Sequence, residues 1–512
     1  MAMAHTPCPL ILPPNMMNKG TIRISITPTL DLDQIAPRRQ EDNQPHTDVR
    51  PQEAPMIRWN TSLIRQYGGP GPRYTSYPPA TSFHADISEE DFWLALDEGN
   101  VARRPLSLYM HIPFCDSVCY YCACNRIVTA NKARGAEYLQ LLKREIKRKA
   151  TRVDKRRPVT QMHWGGGTPT FLDDGQLTEL VYDLARHFNL RDDERSDYAI
   201  EIDPRTVDQS RLGLLRGLGF NRVSLGVQDL DPRVQKAVNR VQPYELIRDT
   251  MAWSRDFGFR SINTDLIYGL PWQSESSLAR TLERLLPLRP DRISLYNYAH
   301  LPSRFKVQRQ IQEQALPGPE EKLGMLTRAG KMLQEQGYRY IGMDHFALEN
   351  DSLSVAQENG LLHRNFQGYT LHGDADLLGL GVSAISQLGN LYAQNHKTLD
   401  DWGHDLSQRR LPIEKGFILN RDDQIRRALI IQLLCDLSVD MSVFSETWGI
   451  HFPDYFADAM AEWVTFEARG LVAVEKDRLQ ITDSGRLVSR ALVMPFDRYT
   501  PQQQQARFSR II

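Results

Sequence analysis

Four of the six cysteines lie within ten residues of one another, and this cluster is the strongest chemical signal in the chain. The spacing Cys115-x3-Cys119-x2-Cys122 places three thiols on one short loop, one fewer than a closed iron–sulfur or zinc site requires. An iron that lacks a protein thiolate is free to bind a small molecule, so the loop predicts a [4Fe-4S] cluster that also holds a cofactor. Cys124 is either a fourth ligand or a non-ligand, and structural zinc is the alternative to iron.

A glycine-rich turn follows the next apolar stretch. The segment Trp164-Gly165-Gly166-Gly167-Thr168-Pro169 stands between a predicted strand and a predicted helix. Consecutive glycines let a ligand approach the backbone and expose successive N–H groups to an anion such as a carboxylate. Such a turn alone is equally compatible with a tight strand-to-helix connection, and the cysteine loop is what favours a ligand site.

The elements that must position these residues form a repeating pattern. Short β-type runs alternate with amphipathic helical stretches, which is typical of a parallel sheet. The predicted strands are 106–112, 161–164, 198–202, 222–227, 261–267 and 292–297, and the predicted helices are 136–149, 177–188, 212–218, 244–257 and 278–286. Periodicity does not separate a doubly wound sheet from an unclosed barrel. Because unusual residues sit at the end of every strand, and barrel strand ends converge on one mouth, we expect an α/β fold, an incomplete (β/α)6 barrel.

Length and composition describe a multidomain globular protein. The chain has 512 residues, of which 41% are hydrophobic and 24% charged, values that exclude collagenous, coiled-coil and wholly disordered proteins. We expect four regions: a disordered, proline-rich extension (1–56), an N-terminal arm (57–105), the barrel (106–345) and a mainly helical C-terminal domain (346–512). A strand-turn-strand near residues 471–481, followed by one helix from about 483 to 492, gives that last domain a winged-helix-like pattern.

Charge and hydropathy limit the partners. The net charge of −1 supplies no global field for nucleic acid, and no apolar run has the ~20 residues of a membrane span. Clustered thiols in a charge-balanced chain indicate a reducing compartment, so we expect a cytoplasmic protein. No heptad pattern contradicts a monomer.

The cysteine loop, the aromatic Tyr121 before its third cysteine and the Gly-Gly-Gly-Thr-Pro turn resemble the radical S-adenosylmethionine (SAM) superfamily. Further motifs resemble the oxygen-independent coproporphyrinogen III oxidases. They are Gly-Pro-Arg-Tyr-Thr-Ser-Tyr-Pro (71–78), Tyr-Met-His-Ile-Pro-Phe-Cys (109–115), the extra Cys124, Gly-Val-Gln-Asp (226–229), Asp-Leu-Ile-Tyr-Gly-Leu-Pro (265–271) and His-Arg-Asn-Phe-Gln-Gly-Tyr (363–369). The resemblance runs from about residue 57 to the C-terminal Phe508-Ser509-Arg510-Ile511-Ile512.

This resemblance implies an activity and its cofactors. It implies oxygen-independent conversion of coproporphyrinogen III to protoporphyrinogen IX in haem synthesis, by a 5′-deoxyadenosyl radical from SAM, with two SAM molecules and an unidentified electron donor and acceptor. It implies cluster ligands at Cys115, Cys119 and Cys122. It implies SAM contacts at Tyr109, Tyr121, Gly166, Gly167, Thr168, Glu201, Gln228, Arg240, Asp265, Ala299 and Ile385.

Tyr109, His111 and Glu201 are the candidate catalytic residues. Tyr109 and His111 alternate on the first strand and therefore share a face just before the cysteine loop, although His111 alone is equally compatible with a structural strand-end histidine. The substrate carries four carboxylates, and Arg73 and Arg364 are candidate partners for them. Cys124 is predicted to be a non-ligand near the cluster.

Two rival interpretations come from different functional classes. The first is the haem-chaperone-like paralogue of the same superfamily, which lacks the Arg-Tyr-Thr-Ser-Tyr-Pro arm and the cysteine at the place of Cys124. The second is a zinc-stapled binding module with a winged-helix tail, which metal analysis distinguishes from an iron–sulfur protein.

Overall fold

A computed structural model describes residues 57, 59–191, 193 and 195–499. The predicted disordered extension (1–56) and the motif Phe508–Ile512 lie outside the described residues. The arm begins with helices α1 (Thr61–Tyr67) and α2 (Glu89–Val101). Ser88 starts α2 through a capping box with Asp91, in which each side chain accepts a hydrogen bond from the other residue's backbone N–H.

Nine strands lie between residues 106 and 297, and six of them are long. They are β1 (Leu106–Ile112), β2 (Phe114–Cys115), β3 (Ile127–Val128), β4 (Pro158–Gly166), β5 (Asn189–Leu190), β6 (Asp197–Ile202), β7 (Arg222–Gln228), β8 (Ser261–Tyr268) and β9 (Arg292–Asn297). The long strands β1, β4, β6, β7, β8 and β9 pair in parallel in their chain order. A doubly wound sheet reverses its order at a switch point, so this one-directional order confirms the barrel prediction.

Helices connect these strands and cover the outside of the sheet. They are α3 (Ala133–Ala150), α4 (Asp174–His187), α5 (Gln209–Gly217), α6 (Pro232–Ala237), α7 (Tyr244–Asp256), α8 (Glu275–Leu285) and α9 (Pro319–Glu335). Each amphipathic helix buries one stripe, as α8 does with Leu278, Leu282 and Leu285 at helical spacing. The predicted strands and helices match these bounds to within a few residues.

The sheet continues past both edges of the barrel. A hairpin of β10 (Tyr338–Gly342) and β11 (His345–Leu348) pairs with β9, and α10 (Ser352–Glu358) leads to a separate hairpin of β12 (His363–Asn365) and β13 (Gly368–Thr370). At the other edge, β14 (Asp376–Leu380) pairs in parallel with β1 and is followed by β15 (Ile385–Leu388), β16 (Leu391–Asn395) and, after α11 (Leu399–Ser407), β17 (Ile413–Ile418). Among the described strands, the end strands β10 and β17 do not pair with each other, so the barrel stays open. The sequence pattern did not predict β14–β17.

The last part of the chain is mainly helical, as predicted. Its elements are α12 (Arg421–Cys435), β18 (Ser438–Asp440), α13 (Met441–Trp448), α14 (Phe452–Tyr455), α15 (Ala457–Glu467), β19 (Val472–Val474), β20 (Arg478–Ile481), α16 (Asp483–Arg486) and α17 (Ser489–Val493). The prediction of one helix over 483–492 is wrong, because the backbone leaves helical geometry at Val488 and divides the segment in two. Within the described residues, no helix has both the length and the apolar character of a bilayer span.

Candidate active site

The mouth of the barrel, at the carboxyl ends of its strands, contains a cavity of about 470 Å³. Active sites of barrels lie at this end because the strand-to-helix loops converge there. Among the predicted site residues, the structure places around it Cys115, Cys119, Tyr121, Cys122, Gly166, Gly167, Thr168, Glu201, Gln228, Arg240 and Asp265. Cys124, Arg126, Asp203, Arg205, Ser224 and Tyr296 also line it.

The cysteine loop leaves β1 and contributes its thiols to this cavity. The Thr168 hydroxyl lies 3.5 Å from Cys115 Sγ, and burial raises the pKa of that thiol to about 11. A hydrogen bond from the Cys124 thiol lowers the pKa of Cys122, and the same contact raises the pKa of Cys124. In the described part of the chain, no three or more His, Cys, Asp or Glu side chains converge on a single-ion position. The three thiols of Cys115, Cys119 and Cys122 all line one cavity, as ligands of a cluster with one iron left open would.

The glycine turn after β4 is tied to the chain that enters the cysteine loop. Gly167 N–H donates to the Ile112 carbonyl at 2.8 Å, and Thr168 N–H donates to the Phe114 carbonyl at 2.7 Å. Gly166 has a φ of +109°, which L side chains rarely adopt. A Cβ on Gly167 would lie only 2.6 Å from the Pro113 carbonyl carbon. The turn needs glycine because the backbone of the cysteine loop packs directly on it.

Glu201, at the end of β6, faces the cavity beside this turn. Its carboxylate accepts hydrogen bonds from His163 Nε2 at 3.0 Å and from Gly166 N–H at 3.3 Å. Burial alone would raise the pKa of Glu201, but these two hydrogen bonds outweigh burial and lower it. Glu201 therefore offers an ionised carboxylate to a cationic or hydroxyl-bearing ligand. His163, which the sequence left unassigned, is the residue that positions it.

Tyr109 and His111 share the inner face of β1, as the alternation predicted, but neither lines the described cavity directly. Tyr109 stacks on His163 with ring centroids 6.0 Å apart, because residues 109 and 163 are register partners on β1 and β4. His111 Nε2 lies 2.9 Å from the Asn125 carbonyl, and its Nδ1 lies 3.1 Å from the Tyr109 hydroxyl. A carbonyl only accepts, so Nε2 carries the proton and Nδ1 accepts from Tyr109. Burial lowers the pKa of His111, and the ring is neutral.

Arg240 forms the positive side of the cavity. Its Nη1 lies 2.8 Å from the Asp203 carboxylate and 3.8 Å from Cys119 Sγ, and its Nη2 donates to the Gly226 carbonyl at 2.7 Å. Burial lowers the pKa of Arg240, but Tyr121, Asp203 and Cys119 together raise it by more. Arg240 therefore joins the end of β7, Asp203 and the cysteine loop on one side of the cavity.

The ends of β7 and β8 supply an amide and a second carboxylate. Gln228 has a φ of +65° where the pairing of β7 with β8 shifts register, and this bulge turns its side chain toward the cavity. Asp265 accepts hydrogen bonds from Asn263 at 2.9 Å and from Ser224 at 3.1 Å. Burial and the neighbouring Glu201 raise the pKa of Asp265 to about 6.

Two predicted SAM contacts, Ala299 and Ile385, do not line this cavity. Ile385 starts β15 and packs beside Phe83 and Tyr392. Ala299 lies on the loop after β9, where its carbonyl accepts from Gln308 Nε2 at 3.2 Å. The same Gln308 nitrogen lies 3.1 Å from the Tyr121 carbonyl, so this buried glutamine links the Ala299 loop to the cysteine loop. A single glutamine in a loop carries no sequence signal for such a role.

Two family models match the chain, the radical SAM superfamily over residues 109–285 and the HemN C-terminal domain over residues 419–488. The oxygen-independent coproporphyrinogen III oxidase of Pseudomonas aeruginosa is 52% identical over 456 residues, which are 89% of this chain and 99% of that protein. The chain belongs to the oxygen-independent coproporphyrinogen III oxidase family. The member from Escherichia coli strain K12 is 45% identical over 89% of this chain and 99% of its own length.

The fold agrees with a solved member of this family. Coproporphyrinogen III oxidase (HemN) from Escherichia coli, described as a radical SAM enzyme, superposes with a TM-score of 0.83 at 44% identity, covering 87% of this chain and 100% of that one. Because the chain matches this family over 87–89% of its length, we no longer interpret the cysteine loop as the zinc site of a binding module.

Proposed function

We propose that this chain converts coproporphyrinogen III to protoporphyrinogen IX without oxygen, turning two propionates into vinyl groups with loss of two CO2. The observation that carries this proposal is the convergence of three thiols, a glycine turn and two carboxylates on one cavity in a member of this family. When bound, a [4Fe-4S] cluster and SAM would supply a 5′-deoxyadenosyl radical, the species needed to take a hydrogen atom from the propionate carbon next to the pyrrole. The protein's task is to place that carbon and to exclude water and oxygen.

The residues of the cavity fit these cofactors by their chemistry. Cys115, Cys119 and Cys122 are the proposed cluster ligands, and Arg240 contacts the Cys119 sulfur. The ionised Glu201 suits the methionyl ammonium of SAM. The N–H groups of Gly166, Gly167 and Thr168 already have partners within the protein, so the turn contributes by positioning Glu201 and the cysteine loop and not by binding an anion directly. Asp265 at the end of β8 suits the ribose hydroxyls, because a carboxylate accepts two hydrogen bonds at once.

Tyr109, His111 and Glu201 remain the proposed catalytic group. The hydrogen bonds described above hold His111 neutral and hold the Tyr109 hydroxyl toward it. Burial, together with Glu201, raises the pKa of Tyr109 well above its usual value, so the phenol keeps its proton. Tyr109 and His111 are both neutral and hydrogen-bonded to each other, so neither transfers a proton to the substrate radical. Tyr109 stacks on His163, which positions Glu201, so we propose that Tyr109 and His111 support Glu201 and do not act as acid or base.

The remaining partners follow from the chemistry of the reaction. Each decarboxylation leaves one electron beyond the hydrogen atom, so the enzyme requires a one-electron acceptor as well as a low-potential donor, neither identified. Two reacting propionates require two SAM molecules per turnover. Ala299 and Ile385, which do not line the cavity described above, remain proposed contacts for SAM. We place the protein in the cytoplasm as a monomer, with no nucleic-acid partner.

An anaerobic turnover assay tests the proposed activity. Protein reconstituted with iron and sulfide is given coproporphyrinogen III, SAM and a strong reductant, and the products are resolved by chromatography and mass spectrometry. We expect protoporphyrinogen and two 5′-deoxyadenosines per product. Cys115→Ser serves as the matched control, because it removes one cluster ligand from the same loop and is expected to abolish both products.

The alternatives give different products in the same assay. Deoxyadenosine without protoporphyrinogen would retain the radical chemistry and reject the substrate. Neither product from a sample with a verified cluster, combined with tight haem binding, would identify the haem-chaperone-like paralogue instead.

A further inference from the structure

Three arginines and one aspartate meet beside the cavity, behind Tyr296. Arg73 from the arm donates to Asp344, in the turn between β10 and β11, at 2.5 Å. Arg364 from β12 and Arg490 from α17 complete the group, which we call the arginine cluster. Burial, together with the neighbouring Arg73 and Arg364, lowers the pKa of Arg490 to about 10, while Asp344 opposes this shift. The arginine cluster so defined contains three guanidinium groups and one carboxylate.

Arg364 is the member of the cluster that has no ion-pair partner among the described residues. Arg364 is only 5% exposed, and within the described part of the chain neither its Nε nor its Nη1 has a hydrogen-bond partner. Within the described residues no carboxylate pairs with it, and its guanidinium lies 4.8 Å over the Tyr369 ring. A buried arginine without an anion is strongly unfavourable, so such a group indicates a bound anion in the working state.

Neighbouring polar groups share this lack of partners. His345 Nδ1 and the Tyr369 hydroxyl are both buried and have no hydrogen-bond partner among residues 57–499 as described, and their rings lie 5.4 Å apart. Burial and the adjacent Arg364 lower the pKa of His345 to about 3, so the ring adds no charge. Buried polar atoms in native proteins nearly always have partners. Several orphaned atoms around one guanidinium mark a polar subsite that a ligand completes.

Tyr296 links the arginine cluster to the cavity. The Tyr296 ring lines the cavity and lies 6.1 Å from the His345 ring, and the charge of Arg73 acts on Tyr296. Tyr296 therefore contacts both the cavity, which Asp265 also lines, and the surroundings of the arginine cluster. A rigid ligand with several carboxylates can place one group in the cavity and a second in the cluster at the same time.

We propose that the arginine cluster is a carboxylate-binding subsite that holds a propionate of the substrate that is not reacting, with Arg364 as its principal anchor. This inference rests on the proposed function, because the tetracarboxylate substrate supplies the anion. A guanidinium forks onto a carboxylate through two parallel N–H···O hydrogen bonds, which gives direction as well as affinity. The subsite would fix the orientation of the macrocycle and so select which propionate reaches the radical.

The test compares Arg364→Met with Arg486→Met in the reconstituted holoenzyme. Arg486 is equally buried at 5% exposure, but it donates to the Tyr340 carbonyl at 2.6 Å and to the Gln357 side chain at 3.0 Å. We expect Arg364→Met to raise the KM for coproporphyrinogen III by about 10- to 100-fold, as loss of a charged hydrogen-bonding partner predicts. The unreactive tetracarboxylate coproporphyrin III should show the same loss in a fluorescence titration.

Thermal unfolding adds a readout that separates an anchor from a structural residue. Arg364→Met should unfold without substrate at the same or a higher temperature than wild type, because it removes an unmatched buried charge. Arg486→Met should lower the unfolding temperature and leave the KM unchanged. Arg364→Lys keeps the charge but not the fork, and should recover only part of the affinity.

Three outcomes would overturn the subsite. The KM and the coproporphyrin affinity of Arg364→Met could stay within twofold of wild type. The variant could instead lose affinity for SAM alone, which would assign the anion to the SAM carboxylate. It could also unfold at a lower temperature with unchanged KM, as a structural arginine would. If wild type itself forms no protoporphyrinogen, the proposed function fails, and coproporphyrin binding still decides whether the subsite exists.

Discussion

Substituting Gly167 by alanine should uncouple the glycine turn from the cysteine loop. The new Cβ would lie 2.6 Å from the Pro113 carbonyl carbon and 2.7 Å from the Phe114 oxygen. Both neighbours are backbone atoms, so no side-chain rotation relieves the contact. An ordinary contact between carbons is about 3.5 Å, so the two segments must separate by roughly 0.9 Å.

The size of the effect follows from that displacement. Overpacking of this kind costs about 1–3 kcal/mol, equivalent to only about 1–3 °C in unfolding temperature for a unit the size of residues 54–512. The moved backbone leads directly into Cys115, and a misplacement of about 1 Å can reduce a rate by about 100-fold. We therefore expect Gly167→Ala to bind less iron and sulfide and to form 5′-deoxyadenosine about 100-fold more slowly.

The assay measures iron and sulfide per chain after anaerobic reconstitution, the unfolding temperature and the rate of deoxyadenosine formation. Gly217→Ala is the matched control, since no described atom lies within 4 Å of the position that its methyl group would take at the end of α5. It should leave the cluster intact and stabilise the protein slightly, by up to about 1 kcal/mol. A Gly167→Ala protein with wild-type iron content and rate would refute the coupling of turn and loop.

Three further predictions concern the cavity. Glu201→Gln should raise the SAM dissociation constant, measured by equilibrium dialysis, about 10- to 100-fold, because charged hydrogen bonds contribute about 1.5–3 kcal/mol. An unchanged dissociation constant would show that Glu201 does not bind SAM. SAM affinity should fall as the pH drops through about 6, because Asp265 then takes up a proton and the neutral acid is a weaker acceptor for ribose hydroxyls. The Asp265→Asn variant should lose this pH dependence. If the variant keeps the pH dependence, another group is responsible for it. Cys124→Ser should assemble as much iron and sulfide as wild type, whereas Cys115→Ser should not; a Cys124→Ser protein that folds but holds no cluster would make Cys124 a ligand.

Much of the barrel was predictable because its strands and helices carry strong local patterns. The bounds of β1 and β9 agree with the prediction at both ends, as residues 106–112 and 292–297. Strands β14 and β16 were missed because they are buried along their whole length and show no alternation. A short apolar run of that kind does not reveal whether it forms a strand or part of a buried helix.

The site residues that belong to sequence motifs could be predicted. The residues that reach the site only through the pairing of strands could not. The cysteine spacing and the glycine run identify their own loop. His163 lies beside Tyr109 and Glu201 only because β1, β4 and β6 pair in one particular register. Likewise, Gln308 reaches Tyr121 across 187 positions of sequence. Such contacts belong to the tertiary structure, and no local pattern encodes them.

The pairing of β1 with β14 has a consequence for how the protein is made. Arg104, just before β1, binds Asp376 at the start of β14, and these residues are 272 positions apart. While the ribosome is still translating the barrel, one edge of β1 has no partner strand, and an open edge invites pairing with other chains. The cysteine loop follows this strand directly, so its geometry becomes final only after residue 380 has emerged. Iron and sulfur delivery to the cysteine loop should therefore come late in translation, once residue 380 has left the ribosome and β14 has paired with β1.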